Sequence, residues 1–135
     1  MLKHMIAGLL VLLIITSCGN NVNEADNYLE SGLAKMYQSR FSEALLDFDK
    51  AISLDPESAK SYFYRGNCLQ NMGKSDASMK AYDQCLQLDS TYTDAYYNRG
   101  LLKEYLLDYN GACADFRKAA SLGKPNIDDK TRRCN

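Results

Sequence analysis

Five columns of residues recur every 34 positions along this chain. Gly32, Gly66 and Gly100 form one column, and Tyr28, Tyr62 and Tyr96 a second. Phe48, Tyr82 and Phe116 keep the same spacing, as do Ala51, Cys85 and Ala119, and Ala44, Ser78 and Ala112. Three units of this length run from Ala25 to about Asn126 and cover most of the 135 residues. So short a unit cannot bury an apolar face alone, so successive units must stack on one another in a line. Composition is compatible with long helices, with only 2 Pro and 8 Gly. The net charge is −1, from 16 basic and 17 acidic residues, and exerts no pull toward nucleic acid. The one histidine is His4. Beyond it the chain lacks the commonest general base and metal ligand, which disfavours simple hydrolytic and zinc chemistry.

The order of the columns within a unit is aromatic, Gly, small, aromatic, small, at positions 4, 8, 20, 24 and 27. That order resembles the tetratricopeptide repeat. The resemblance implies an all-α solenoid of three helix-turn-helix units, 25–58, 59–92 and 93–126. Small residues let the two helices of a unit approach closely, and the aromatics fill the volume beside that contact. The expected helices are 25–38, 42–54, 59–72, 75–88, 93–106 and 109–121, with Pro56 in the turn between the first two units. Leu45 and Ile52, Met79 and Leu86, and Cys113 and Ala120 lie seven apart on one helical face and pack against the next unit. Residues 127–135 form an expected capping helix, with Ile127, Thr131 and Cys134 at i, i+4 and i+7. Ser31 and Lys35 replace apolar signature residues and suggest a frayed first unit. Ser75 and Ser90 replace the usual aromatic and proline and suggest that the middle unit is the loosest.

Before the repeats stands an apolar run from Met5 to Ile15, MIAGLLVLLII. It is shorter than the roughly 20 residues a spanning helix needs and suits an export signal. Ile15-Thr16-Ser17-Cys18 at its end resembles the lipobox of bacterial lipoproteins. The resemblance implies that residues 1–17 are a lipoprotein signal peptide removed by a dedicated peptidase. Cys18 would carry a diacylglycerol on its sulfur, and 18–24 would be the lipidated cysteine and a polar tether. Two or three acyl chains anchor stably where one binds marginally. The expected location is therefore the bacterial cell envelope, at the outer membrane or periplasmic face, with the bilayer as one partner.

Four further cysteines are Cys68, Cys85, Cys113 and Cys134. None are spaced as a zinc knuckle or redox pair, so neither a metal nor a cofactor is expected. Cys85 sits in a close-packed small column and, like Cys68, is read as buried filler. A turn centred near Lys124 would bring Cys113 and Cys134 to the same level of antiparallel helices, where an oxidising compartment favours a disulfide. Acidic residues are scattered along helical surfaces and are read as solvated. No phosphate loop, nucleophile elbow or basic stripe is present, and the chain is read as a binding module rather than an enzyme.

The family resemblance implies a peptide-binding inner face built from five positions of each first helix. These are Asp26, Leu29, Leu33, Met36 and Tyr37 in the first unit. The second contributes Lys60, Phe63, Asn67, Gln70 and Asn71, and the third Asp94, Tyr97, Leu101, Glu104 and Tyr105. Phe63, Asn67, Asn71, Tyr97, Leu101 and Tyr105 are the expected centre. The chaperone-binding subfamily clamps a terminal carboxylate with basic residues and Asn, but here Leu29, Leu33, Asp94 and Asn98 stand at those places. The expected partner is an extended or helical protein segment, the expected role an interaction adaptor. Lipoproteins of similar build assist pilus assembly or outer-membrane protein insertion, which is the alternative role, with a subunit of an envelope enzyme as the less favoured one.

Overall fold

The computed structural model of the protein describes residues 23–134, and the regular structure among them is helical. The order is α1 (23–37), α2 (Phe41–Leu54), α3 (Ala59–Asn71), α4 (Ser75–Leu88), α5 (Thr93–Tyr105), α6 (Tyr109–Ser121) and α7 (Asp128–Arg132). Helices one to six form three hairpins joined by short turns, stacked as an α-solenoid, and α7 lies on α6. The sequence-based bounds agree closely. Two differences are that Asn23 and Glu24, assigned to the tether, are already helical, and that α7 has only 5 residues. Cys18 and the signal segment lie outside the described residues.

The repeating columns have one geometric cause. A Cβ placed on Gly32, Gly66 or Gly100 would lie 2.6, 2.6 or 2.7 Å from the ring of Phe48, Tyr82 or Phe116. Each ring thus presses on the bare backbone of the partner helix, and only glycine leaves room. Phe48 and Tyr82 are fully buried and Phe116 nearly so, as are Ala44, Ser78 and Ala112. Ser78 satisfies its hydroxyl by donating to the Gly66 carbonyl at 2.8 Å. Cys68 and Cys85 are free and buried. Burial pushes their thiols up to about 11 and about 12, which keeps them protonated and unreactive at neutral pH.

Two carboxylates expected on the surface are in the core. Asp47 and Asp115, each one full repeat from Ala81, are 9% and 4% exposed. Asp47 accepts from Ser31 Oγ at 2.7 Å and Lys35 Nζ at 2.5 Å. Ser31 and Lys35 therefore neutralise a buried carboxylate, and the described start of the solenoid is packed rather than frayed. Asp115 accepts from Arg99 Nε and Nη2 at 2.9 and 2.7 Å and from Lys103 Nζ at 2.9 Å. Asp115 and Asp83 together raise the Arg99 guanidinium further above its ordinary value. The middle unit replaces this cluster with Ala81 and Leu69, both buried. It is not loose: Phe63, Tyr82, Cys85, Leu86, Ala95 and Leu102 make one continuous core there.

Neighbouring units are also tied by a repeating ion pair. Arg65 reaches back to Asp49 and Arg99 to Asp83, each at 2.7 Å. In the last unit the acidic member is replaced by Arg117, which donates instead to the carbonyl of Cys134. The ladder thus ends where α7 begins. Ile127 is 3% exposed against Ala112, Phe116 and Ala119. Cys134 is bonded to Cys113 with the Cα atoms 5.4 Å apart. Lys130 adds an ion pair to Glu104 at 2.5 Å and sits over the Phe116 ring.

Candidate functional site

The first helices of the units, α1, α3 and α5, carry the residues expected to line the inner face. Packing against the second helices decides how far each one projects. Phe63 does not line a groove. It is 6% exposed, with its ring centroid 5.0 Å from that of Tyr92 and 5.1 Å from that of Tyr64. Tyr64 and Tyr92 pack against a position that helix geometry alone leaves open. Tyr97 is half-buried, 5.9 Å from the Phe116 ring, and carries Lys124 Nζ 5.1 Å from its own centroid. It belongs to the contact with the C-terminal cap. Leu101 is half-buried in the same cluster, with an edge still lining a cleft.

Asn67 and Asn71 come together, and Tyr105 shares a cleft with Asn71. The Tyr82 hydroxyl lies 2.7 Å from Asn67 Oδ1 and 2.7 Å from Gln70 Oε1. Asn98 Nδ2 donates to Asn67 Oδ1 at 2.9 Å, which links α5 to α3 through side-chain amides. Asn71 Nδ2 donates to the Asn67 carbonyl at 2.8 Å. Burial raises the Tyr82 phenol well above its ordinary value, so the hydroxyl stays protonated and the network neutral.

Two clefts meet at Gln70 and Asn71. One, of about 430 Å³, is lined by Met36, Tyr37, Phe41, Asn67, Gln70, Asn71, Asn98 and Leu101. The other, of about 470 Å³, is lined by Gln70, Asn71, Gly73, Ser75, Leu102 and Tyr105. Neither lining includes a charged side chain. Lys35 and Lys103, on the first helices of the outer units, are already held by Asp47 and Asp115. At the places where a carboxylate clamp would stand, Leu29 is buried, Asp94 pairs with Lys124 at 2.6 Å, and Asn98 is engaged by Asn67. Among the described residues no three His, Cys, Asp or Glu converge as metal ligands would.

Tyr37, Gln70 and Asn98 also line the clefts, outside the expected centre. One available signal was the column Tyr37, Asn71, Tyr105, the last residue of each first helix, whose side chains extend past the packed interface. The turns that follow share a left-handed residue at one register: Ser39 (φ 59°), Gly73 (φ 73°) and Leu107 (φ 65°). Glycine meets that conformation without strain in the middle unit alone.

Comparison with known proteins bears on the whole described region. Tetratricopeptide repeat family models match residues 24–58, 59–92 and 93–122. A "Hsp70-Hsp90 organizing protein" of Triticum aestivum is 27% identical over 112 residues, 82% of this chain and 19% of the relative. A "DnaJ homolog subfamily C member 3 homolog" of Dictyostelium discoideum is 33% identical over 102 residues, 71% of this chain and 20% of the relative. The chain therefore spans about a fifth of the length of these relatives. Among solved structures, the Arabidopsis OM64 TPR domain superposes with a TM-score of 0.80 at 24% identity, covering 84% of this chain and 96% of that one. The first TPR of Spaghetti (RPAP3), bound to the HSP90 peptide SRMEEVD, gives 0.79 at 21% identity, covering 84% and 91%.

Proposed function

Because the chain belongs to the tetratricopeptide repeat family, we propose that it is a protein-interaction adaptor that holds a partner segment in its inner cleft. The observation that carries this reading is the uncharged surface running from Met36 and Tyr37, past Gln70 and Asn71, to Tyr105. It spans the first helices of three units, offers amides, phenols and the Ser75 hydroxyl, and has no His, Cys, Lys, Asp or Glu in its lining. A binding module fits this surface better than an enzyme does. Relatives named for chaperone organisation, and a structural neighbour titled as holding a chaperone peptide, support peptide binding as the general mode. An acidic chaperone tail is the wrong ligand for this cleft, since Leu29, Asp94 and Asn98 give its carboxylates no cation.

The adaptor is lipid-anchored at the cell envelope in this proposal. Ile15-Thr16-Ser17-Cys18 after the apolar run supports acylation of Cys18, and among the described residues no helix is long and apolar enough to cross a membrane. Mass spectrometry of protein isolated from the envelope should find Cys18 acylated at the mature N-terminus, and a free amine elsewhere would end that part of the proposal. A photo-crosslinking residue at Tyr105 should capture a discrete partner, whereas the same residue at Lys118, exposed on α6, should not. Equal capture from both positions, or none from Tyr105, would refute the cleft as the working surface.

A further inference from the structure

We propose that residues 128–134 are a redox-released strap: the Cys113–Cys134 disulfide locks them onto α6, and a dithiol reductant frees them from the last unit. What the strap regulates rests on the adaptor reading; that it opens does not. By register the strap stands where a further unit would begin, with Ile127 and Cys134 34 positions after Thr93 and Gly100. It differs from α3 and α5 in how it is held. Those helices have 13 residues each and bury five and three of them, whereas α7 has 5 residues and buries none. A helix this short does not hold its shape in water unaided.

The holding contacts divide at Ile127. Up to that residue the chain is fixed by packing and charge. Ile127 is buried against Ala112, Phe116 and Ala119, and Lys124 pairs with Asp94 at 2.6 Å beside the Tyr97 ring. Beyond it the ties that are not covalent lie near solvent. Lys130 and Glu104, paired at 2.5 Å, are 25% and 30% exposed, and Arg117 donates to the Cys134 carbonyl at an exposed site. Polar ties this open to water contribute little. The disulfide is therefore what keeps 128–134 down. Both of its cysteines are half-buried and line a cleft of about 240 Å³ shared with Glu104, Tyr109, Phe116 and Lys130, so a reductant can reach the bond. Disulfides open to solvent are the labile and regulatory ones.

Release is a thiol–disulfide exchange. A thiolate of the dithiol attacks Cys134 Sγ, the Sγ–Sγ bond breaks, and Cys113 leaves as a thiolate that takes a proton. The second thiol of the reductant, as its thiolate, displaces Cys134 from the mixed disulfide. Two electrons and two protons pass to the cysteine pair, and the reductant ends as its own disulfide. Opening then changes the rim of the cleft. Glu104 loses Lys130, the Phe116 ring loses the cation above it, and Leu101 loses Cys134 from the cluster both pack against. Leu101 and Glu104 are inner-face positions of the last unit, and Tyr105 follows directly. The locked strap withholds part of the surface on which an adaptor holds its partner.

The test is hydrogen exchange read by mass spectrometry on the full chain, oxidised and then reduced with dithiothreitol, beside a Cys113→Ser/Cys134→Ser double variant without reductant. Amides of 128–134 should exchange at least about tenfold faster in the reduced chain and in the variant, while those of α3 and α4 stay protected. Strap amides that keep their protection after reduction, or that lack it before, overturn the proposal. So does loss of protection in every helix, which would make the bond a staple of the whole fold, and so does a bond that dithiothreitol leaves intact in the folded chain. An equal response of the double variant to dithiothreitol, with no bond there to cut, would also overturn it. Partner capture by the photo-crosslinking residue at Tyr105 should rise at least about threefold in the double variant. If the strap opens and capture is present but unchanged, its control of the cleft is wrong. If the strap opens and neither form captures a partner, the adaptor reading falls and the release stands.

Discussion

The middle and last units share a backbone pattern and differ in what fills their seam. At one register the middle unit has buried Ala81 beside Leu69, while the last has buried Asp115 beside Lys103 and Arg99. The small and aromatic columns around these positions are the same in kind, with Gly66 on Tyr82 and Gly100 on Phe116. The repeat is thus defined by where backbones touch, and the volume beside that contact accepts either an apolar pair or a neutralised ion cluster. The two solutions fail differently. Truncating the apolar pair leaves a cavity, whereas truncating the cluster leaves an unmatched charge.

Asp115→Ala should show the largest effect, about 3 kcal/mol of lost stability in urea unfolding, because Lys103 and Arg99 would keep their charges in a poorly solvated seam. Adding Lys103→Leu, which copies the middle unit, should restore most of it. A double variant no better than the single would mean that the seams are not interchangeable. Cys134→Ser should come next, at about 2–4 kcal/mol, by releasing the 21-residue loop that staples α7 to the last unit. Non-reducing peptide mapping that finds both thiols free in the isolated protein would remove the basis of that expectation. Gly66→Ala should cost roughly 1–3 kcal/mol, since its Cβ would meet the Tyr82 ring at 2.6 Å, and Gly100→Ala should cost a similar amount against Phe116.

The pH dependence should also separate the two units. Cys68 and Cys85 of the middle unit have raised pKa values, about 11 and about 12, where the last unit has Leu102 and Ala119 at the same register. Above pH 9 the unfolded chain releases protons from these thiols while the folded chain keeps them. The unfolded state then binds fewer protons, so stability falls as pH rises. It should be flat for these groups below pH 9 and decline from there toward pH 11 to 12. Cys85→Ala should flatten part of that decline, measured as the urea midpoint at pH 8 and pH 10.

These contrasts show what the sequence could and could not disclose. The all-α solenoid was legible because Gly32, Gly66 and Gly100 sit in a contact that ideal helix geometry sets, so a spacing of residue types was enough. Ile127 and Cys134 as a cap were legible for the same reason, as an i and i+7 stripe on a tail. Asp47 and Asp115 were not, since a carboxylate on a polar-looking helix reads as solvated unless its partners 16 and 12 positions earlier are seen with it. The candidate site was half legible. Register brought Asn67, Asn71 and Tyr105 to the two adjoining clefts, but the exposure of Phe63 and Tyr97 depends on Tyr92 and Lys124, which come from other parts of the chain.

The smallest expected effect on stability concerns the tyrosines, where last-unit positions nominated together part company. Tyr97 packs on Phe116 and supports Lys124 from the cap, so Tyr97→Ala removes ring contacts from a partly buried site and should cost about 1–2 kcal/mol. Tyr105, eight residues later on the same helix, has four-fifths of its surface in solvent. Tyr105→Ala should move stability by no more than about 0.5 kcal/mol, the range of an ordinary surface change. The equivalent Tyr37→Ala should behave the same way. A ring this exposed on a stable helix has no folding reason to be large, so its loss should appear in partner capture rather than in melting. If Tyr105→Ala destabilises the chain as much as Tyr97→Ala, the distinction between the cap contact and the open rim is wrong, and the cleft loses its outer wall.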